Sequence, residues 1–344
     1  MARISSCTAS QPGSDRPRSR TAMSRRTRLD LVILTDPRYV ASEASDWYSR
    51  QVLQEDGLVA SALQQRGLRF ARIAWSDEHF DWSGTKAALF RSTWDYFDHF
   101  AEFSEWLDRV SRVTELINPA ELVRWNCDKH YLRALEQQGI RVPPTLFLEP
   151  GTRTTLPALL ASTGWREAIL KPAVSGAARH TYRVNAGGAA QLDSVFQRLL
   201  AEETLLFQRF EETIVSRGEV SLVVIGGRFT HAVRKIARPS DFRVQDDHGG
   251  TVHPHTPSAS EVALAEQCVA ACSPHPFYAR VDCIQDDTDR PTLMELELIE
   301  PELFFRFYPP AAEALAGVVA EHLRAGGAPT PESTPPAVVI RKSS

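Results

Sequence analysis

Three carboxylates in YARVDCIQDDTDRPTLMELELIEPELFF, residues 278–305, stand at spacings that can hold a hard cation. Tyr278 to Ile284 reads as a strand whose period of two puts Tyr278, Arg280 and Asp282 on one face. An acidic turn with Asp286, Asp287 and Asp289 leads into a second strand, Thr292 to Ile299, where Glu295 and Glu297 share a face. Met294, Leu296 and Leu298 then point the other way, into apolar packing. Paired antiparallel, the strands bring Asp282, Glu295 and Glu297 together with Arg280 beside them. Oxygen ligands without His or Cys suit Mg²⁺, which keeps several waters and binds nucleotide phosphates as well. The alternative is a solvated acidic face on an ordinary hairpin. It fits less well, because strands are depleted in Asp and Glu and here these residues recur on one face.

Other polar residues gather at element ends. RSTWDY, Arg91 to Tyr96, follows a strand expected to end at Ala87 to Phe90, and ligands of parallel α/β sheets sit beyond the strand carboxyl ends. Arg91 suits a carboxylate and Asp95 an ammonium or amide N–H, with Ser92, Thr93, Trp94 and Tyr96 completing a site for a small zwitterion. Trp94, Tyr96 and Phe97 serve equally well as core under the next helix. REAILKPAVSGAARHTYRV gives a strand ending at Lys171, a loop of small residues from Ala173 to Ala178, and a strand through Tyr182. Small residues let backbone N–H groups close over phosphate oxygens. The loop is not a P-loop, since G-x-x-x-x-G-K-[ST] is absent, and a plain hairpin turn with a surface lysine explains it as well. WNCDKHYLRALEQQG reads as one helix ended by Gly139, with Lys129 in its N-terminal half. Gly226-Gly227 between Glu219–Ile225 and Arg228–Ile236 marks a tight hairpin.

The 344 residues, 43% of them hydrophobic, can bury a substantial core and divide into more than one domain. No apolar run approaches the ~20 residues that span a bilayer. The first 28 residues carry seven Arg against one Asp, a net +6 that leaves −10 for the rest, and read as a disordered basic tail. The tail lacks the apolar core of a secretory signal. Its composition fits a transit peptide or, as the preferred reading, a start placed upstream of the true one, with Met23 or an internal codon as the beginning. A protein that binds nucleic acid through this tail is a separate class, which the acidic body does not support. Cys7, Cys127, Cys268, Cys272 and Cys283 include no C-x-x-C pair, so buried reduced thiols and a cytoplasmic setting are expected. His253 and His255 have no third ligand nearby in sequence. The stretch from 326 to 344, rich in Pro, Thr and Ser, reads as a flexible tail.

In order, D-K on a helix, G-x-x-x-P-x, K-P-x-x-S-G, Q-x-F, G-E, ARVD and an E-x-N-like pair resemble the ATP-grasp ligases. D-alanine–D-alanine ligase and prokaryotic glutathione synthetase are members of that family. The resemblance covers residues 29 to 325 and implies an α/β (α+β) ATP-grasp fold. A small N-terminal parallel α/β domain (29–124) would precede two α+β subdomains that sandwich ATP, a lid (125–205) and a magnesium-binding, catalytic one (206–325). It implies that Asp282, Glu295 and Glu297 hold two Mg²⁺ (Mn²⁺ as a substitute) on the triphosphate, Glu297 standing where the family has Asn. Lys129 and Lys171 would contact phosphates, Lys171 also lying near the adenine. Ser175, Gly176 and Ala177 would form the lid loop. Gln208 and Phe210 would lie on the strand that reads adenine through its backbone, with Glu211 or Glu219 on the ribose. Lys235, Arg243 and Gln245 match positions that face the γ-phosphate and substrate carboxylate, and Arg280 the arginine that steadies the phosphoryl group and oxyanion.

RSTWDY and ELELIEPELF are similar to the group that contains the O-ureidoserine cyclo-ligase of D-cycloserine biosynthesis. That likeness implies a small amino-acid-like substrate near Arg91 to Tyr96 and Glu300, activated by ATP as an acyl phosphate and closed by its own nitrogen. Ligation to a separate amine, as in glutathione synthetase, is the alternative within the family. An ATP-binding module that has lost catalysis is the alternative outside enzymes, and Arg280, Asp282 and Glu295 argue against it. No nucleic acid or membrane partner is expected, and family members commonly pair as homo-oligomers.

Overall fold

The structure is a computed structural model that describes residues 28–41, 43, 46–239, 241–244 and 249–326. The basic tail before Arg28, the tail after Gly326 and Gln245 lie outside the described residues.

Apolar runs separated by helical periods build a first, parallel sheet. It comprises β1 (Leu29–Thr35), β2 (Phe70–Ala74), β3 (Thr85–Ser92) and β4 (Glu115–Ile117), in the order β2-β1-β3-β4. Leu31 and Ile33 of β1 enter one apolar cluster, while Val32 and Leu34 enter another, so both faces are covered. The helices Trp47–Gln65 and Pro310–Arg324 pack on the first side, and Phe103 and Trp106 of the helix Phe100–Val110 on the second.

A second, antiparallel sheet has the order β5-β8-β6-β7, from β5 (Thr145–Leu148), β6 (Glu167–Pro172), β7 (Tyr182–Asn185) and β8 (Leu205–Arg209). The helices Leu156–Thr163 and Ala189–Glu202 back it through Leu159, Leu160, Phe196 and Leu200.

The third sheet, order β11-β10-β9-β12-β13, is antiparallel and carries the charged strands. Its members are β9 (Glu219–Ile225), β10 (Arg228–Ile236), β11 (Thr251–His255), β12 (Tyr278–Gln285) and β13 (Pro291–Glu297). The two-residue period sorts β9 and β12 cleanly. Val220, Leu222, Val224, Val281 and Cys283 join the core under the helix Ala259–Ala270. On the opposite face Val223, Ile225 and Tyr278 pack beneath the first domain, and Glu219, Ser221, Arg280 and Asp282 are buried polar residues. Gly226 and Gly227 both hold positive φ, +56° and +76°, which a two-residue hairpin turn of this hand requires.

Two expectations from the sequence give way here. The helix expected through Lys129 is broken into Ala120–Asn126 and Tyr131–Gln137, with Lys129 in the turn between them. Asp128 turns its carboxylate onto the His130 N–H at 2.9 Å, and the Lys129 N–H donates to the Ala173 carbonyl at 3.0 Å instead of to a helical partner. Met294 does not join the apolar core. The register slips between Asp282, opposite Glu295, and Cys283, opposite Leu293, so Met294 is the extra residue of a bulge and lines the cleft described below.

β13 is an edge strand, and its outer backbone is satisfied by side chains and loops. Asn126 Nδ2 donates to the Leu296 carbonyl (2.8 Å) while its Oδ1 accepts from Leu298 N–H (2.9 Å). The Tyr131 hydroxyl accepts from Leu296 N–H (3.1 Å), and the Arg141 carbonyl from Leu293 N–H (2.9 Å). No described helix is long and apolar enough to cross a membrane. Cys127, Cys268, Cys272 and Cys283 are buried and unpaired, as expected. Replacing Asn126→Ala leaves a buried donor and acceptor unmet and should cost about 2–4 kcal/mol. Urea unfolding measures this; a wild-type midpoint would mean that the edge is held by other groups.

Candidate active site

The charged face of the third sheet closes one wall of a cleft of about 320 Å³. β6 and β8 contribute Lys171 and Gln208, the loop after β6 contributes Ser175 to Ala178, and the broken helix contributes Asn126 and Lys129. From below come Glu219, Lys235, Arg280, Met294, Glu295 and Glu297, followed by Glu300, Glu302 and Phe304. The first domain supplies Arg38, Tyr39, Tyr48, Trp94 and Tyr96.

Charge alternates across this wall. Lys235 Nζ lies 2.5 Å from Glu219 and 2.9 Å from Asp282. Asp282 also accepts from Ser221 Oγ (2.6 Å) and from Arg280 Nε (3.0 Å) and Nη2 (2.9 Å). Arg280 reaches on to Glu297, its register partner on β13, and donates to the Glu302 carbonyl at 3.2 Å. Lys129 Nζ lies 3.2 Å from Glu295 and donates to the Ser175 carbonyl at 2.6 Å, joining the strand to the small-residue loop.

The carboxyls respond in opposite directions. Burial pushes Asp282 up, but Arg280 and Lys235 outweigh it and hold the group well below the usual carboxylate range. Burial likewise acts against Glu295, which Lys129 and Lys171 hold low. Glu297 is pushed up to about 7 by burial, then by the Asp282 and Glu295 charges, against Arg280. Glu300 rises to about 8, first by burial and then by the Glu297 charge. Burial also raises Glu219 against the pull of Lys235, and lowers Lys171.

The cleft gathers only part of the expected set. Ser175 is buried with its hydroxyl on the Pro172 carbonyl at 3.0 Å. A Cβ on Gly176 would collide with the Phe97 ring, and Ala177 holds φ +48°, so the loop is tightly specified. Gln208 is 1% exposed, and its amide donates to Thr145 Oγ1 at 2.9 Å. Arg243 lines the cleft with its guanidinium braced by Asp241 at 2.8 Å.

Phe210 and Glu211 do not line it. The Arg183 guanidinium covers Phe210 at 3.9 Å, and Arg209 pairs with Glu211 at 2.7 Å. Of the two acids expected at a ribose, only Glu219 faces the cleft. Asp282 lies behind it, 2% exposed, both carboxylate oxygens taken by Ser221, Lys235 and Arg280. Among the described residues no three His, Cys, Asp or Glu converge as a cage for a metal.

In RSTWDY only Trp94 and Tyr96 reach the cleft. Arg91 is buried against Asp56 (3.3 Å), and with Ser92 it walls a separate pocket of only about 10 Å³. Asp95 accepts from Trp75 Nε1 at 2.7 Å, and Thr93 is fully buried. Asp56 sits on the helix Trp47–Gln65, where nothing in a local pattern flags it as the partner of Arg91. Arg38, Tyr39, Tyr48 and Phe304 were missed by reasoning from the sequence. For Arg38 and Tyr39 a signal existed, since both follow the carboxyl end of β1.

Because Glu297 and Glu300 are raised above the ordinary carboxyl range in the folded state, they add stability while protonated and lose it as pH climbs through about 7 and 8. In EDTA and without nucleotide, the thermal midpoint should fall from about pH 5 to 8, and Glu300→Gln should flatten the upper part of that fall. An unchanged slope in that variant would contradict the assignment.

Residues 31–118 match the family model for the D-cycloserine synthetase DcsG N-terminal domain, and residues 143–289 the model for the prokaryotic glutathione synthetase ATP-grasp domain. The chain is 32% identical over 268 residues to the cycloserine biosynthesis protein DcsG of Streptomyces lavendulae, covering 73% of this chain and 87% of that protein. It superposes on the crystal structure of D-cycloserine synthetase DcsG with a TM-score of 0.73 and 28% identity, over 85% of this chain and 99% of that one. A D-alanine–D-alanine ligase from Bacillus anthracis complexed with ATP matches at a TM-score of 0.58 and 12% identity, over 87% and 98%, a likeness of fold alone.

Proposed function

We propose roles for the cleft residues of this chain, which belongs to the ATP-grasp ligases and is an ADP-forming carboxylate–amine ligase. A carboxylate oxygen of a small-molecule substrate attacks the γ-phosphorus of ATP, and the bond to the β–γ bridging oxygen breaks to release ADP. A nitrogen then adds to the acyl carbon and loses its proton as inorganic phosphate leaves. No side-chain nucleophile is needed.

Lys129 and Lys171 face the triphosphate from the lid side of the cleft, Lys129 already tied to the Ser175 carbonyl. Arg243 and Lys235 complete the positive wall around the transferred group, where fixed cations offset charge without reorganising. Arg280, held in place by Asp282 and Glu297, offers a guanidinium to the phosphoryl oxygens and then to the tetrahedral oxyanion. Ser175, Gly176 and Ala177 cover the phosphates, and Glu219 lies nearest the ribose. Gln208 belongs to the adenine strand, and Phe210 and Glu211 support it from outside the cleft.

The donor set fits a divalent ion. It is all carboxylate oxygen, and at Glu297 burial and the neighbouring carboxylates outweigh Arg280, so its anion is short of positive charge. Glu295 and Glu297 would hold the ions, two Mg²⁺ or Mn²⁺ in their place. Asp282 would join them by exchanging one of its cations. Mg²⁺ bound there supplies electrostatic relief for the triphosphate.

The observation that carries this reading is the register that sets Glu297 opposite Arg280 and Glu295 opposite Asp282, with Lys129 on Glu295. For the substrate we propose an O-ureidoserine-like amino acid closed by its own nitrogen, on the likeness of both domains to DcsG. Trp94, Tyr96 and Glu300 are its contacts, while Arg91, Ser92, Thr93 and Asp95 shape the wall behind them.

A phosphate-release screen with ATP, Mg²⁺ and amino acids, ureido and D-configured ones included, tests this. Phosphate should appear with O-ureidoserine and no added amine. Release that depends on a separately added amine would replace ring closure by intermolecular ligation. Glu295→Gln should keep the fold and lower kcat by roughly 100-fold or more, the scale of losing one preorganised electrostatic group. Wild-type rates in that variant would remove Glu295 from the metal site.

A further inference from the structure

Five glutamates wall the cleft, and four of them face a cation of the protein: Glu219 faces Lys235, Glu295 Lys129, Glu297 Arg280 and Glu302 Arg306. Glu300 is the exception. Among the described residues no Lys, Arg or His lies within ion-pair distance of its carboxylate, and the Lys129 charge only partly offsets its burial.

Its position is fixed from behind, where Trp94 Nε1 donates to the Glu300 carbonyl at 2.8 Å. The Trp94 indole meets Tyr39 edge to face, centroids 5.7 Å apart, and lies tilted against Tyr48 at 5.9 Å. All three rings line the same cleft as Glu300. We infer that Glu300, with Tyr39, Tyr48 and Trp94, forms the subsite for the ammonium group of an amino-acid substrate, a reading that rests on the ligase activity proposed above.

The lining selects the kind of cation. Aromatic faces attract an organic ammonium through their quadrupole, and do so best when it is partly desolvated. They offer few of the hard oxygens that Mg²⁺ demands. Burial and the Glu297 charge push Glu300 up to about 8, because no protein cation beside it holds the ionised form, and a substrate ammonium would. The Glu297 charge adds to the negative field at Glu300, which disfavours a second substrate carboxylate there and favours a zwitterion with one.

A chemical consequence follows for the second step. An ammonium paired with Glu300 keeps its proton and has no lone pair for the acyl carbon. The attacking nitrogen is therefore a different one, and the held amine passes unchanged into the product.

The test compares O-ureidoserine with its desamino analogue, 3-(ureidooxy)propanoate, on wild type, Glu300→Gln and Tyr48→Leu. Phosphate release gives kcat/KM, and calorimetry with Mg²⁺ and a non-hydrolysable ATP analogue gives Kd. Wild type should favour the amine-bearing compound by roughly 10- to 100-fold, the scale of a charge-assisted hydrogen bond. Glu300→Gln should lose most of that preference and Tyr48→Leu several-fold of it, with KM for ATP unchanged. A preference intact in both variants overturns the subsite. So does a Glu300→Gln defect confined to the Mg²⁺ dependence, which would make Glu300 a metal ligand. If wild type releases no phosphate with any amino acid, the ligase reading fails instead, and the calorimetric comparison still decides the subsite.

Discussion

The molecule depends on one electrostatic constraint: a sheet face that carries Glu219, Asp282, Glu295 and Glu297 is buried only because Lys235, Arg280 and Lys129 alternate with them. Burying an unpaired charge costs several kcal/mol, whereas a face of alternating sign meets that cost locally through short, multiply hydrogen-bonded pairs. Asp282 is the hub, touching a serine of β9, a lysine of β10 and the arginine two residues before it on β12. Such a network is rigid, and rigidity is useful where charge must be met without rearrangement. It is also incomplete. The negative side outweighs the positive towards Glu297 and Glu300, and a cation from solution is what that side lacks.

The edge strand translates this constraint into geometry. Among the described residues no strand pairs with the outer edge of β13, and Asn126, Tyr131 and Arg141 take the place of one. Asn126 and Tyr131 flank the turn that carries Lys129, so groups that complete the sheet also aim a lysine at Glu295. The same turn reaches the small-residue loop through the Lys129 backbone on Ala173 and its side chain on Ser175. Glu295, Lys129 and the loop over the cleft are thereby one mechanical unit.

Much of the fold was legible in the sequence for physical reasons. The hairpin β9–β10 begins and ends where expected because Gly226 and Gly227 supply two positive φ angles that other residues resist. The shared face of Arg280 and Asp282 followed from a strict period of two. What was not legible depended on partners distant in sequence. The bulge that turns Met294 into the cleft is a property of the pairing with β12, not of β13 alone. The helix broke at Asp128 because a side chain and a carbonyl from the loop after β6 outcompeted helical hydrogen bonds. Arg91 looked like a carboxylate binder until Asp56, on a helix with an ordinary amphipathic pattern, supplied the carboxylate from within the protein.

The most direct measurement is a crystal structure with Mg²⁺ and a non-hydrolysable ATP analogue. The triphosphate should lie between Lys129 and Lys171 on one side and the ions on Glu295 and Glu297 on the other, with Arg280 turned to the terminal phosphate. Nucleotide bound outside this cleft, or Glu295 and Glu297 facing bulk solvent with the ions elsewhere, would contradict the central claim.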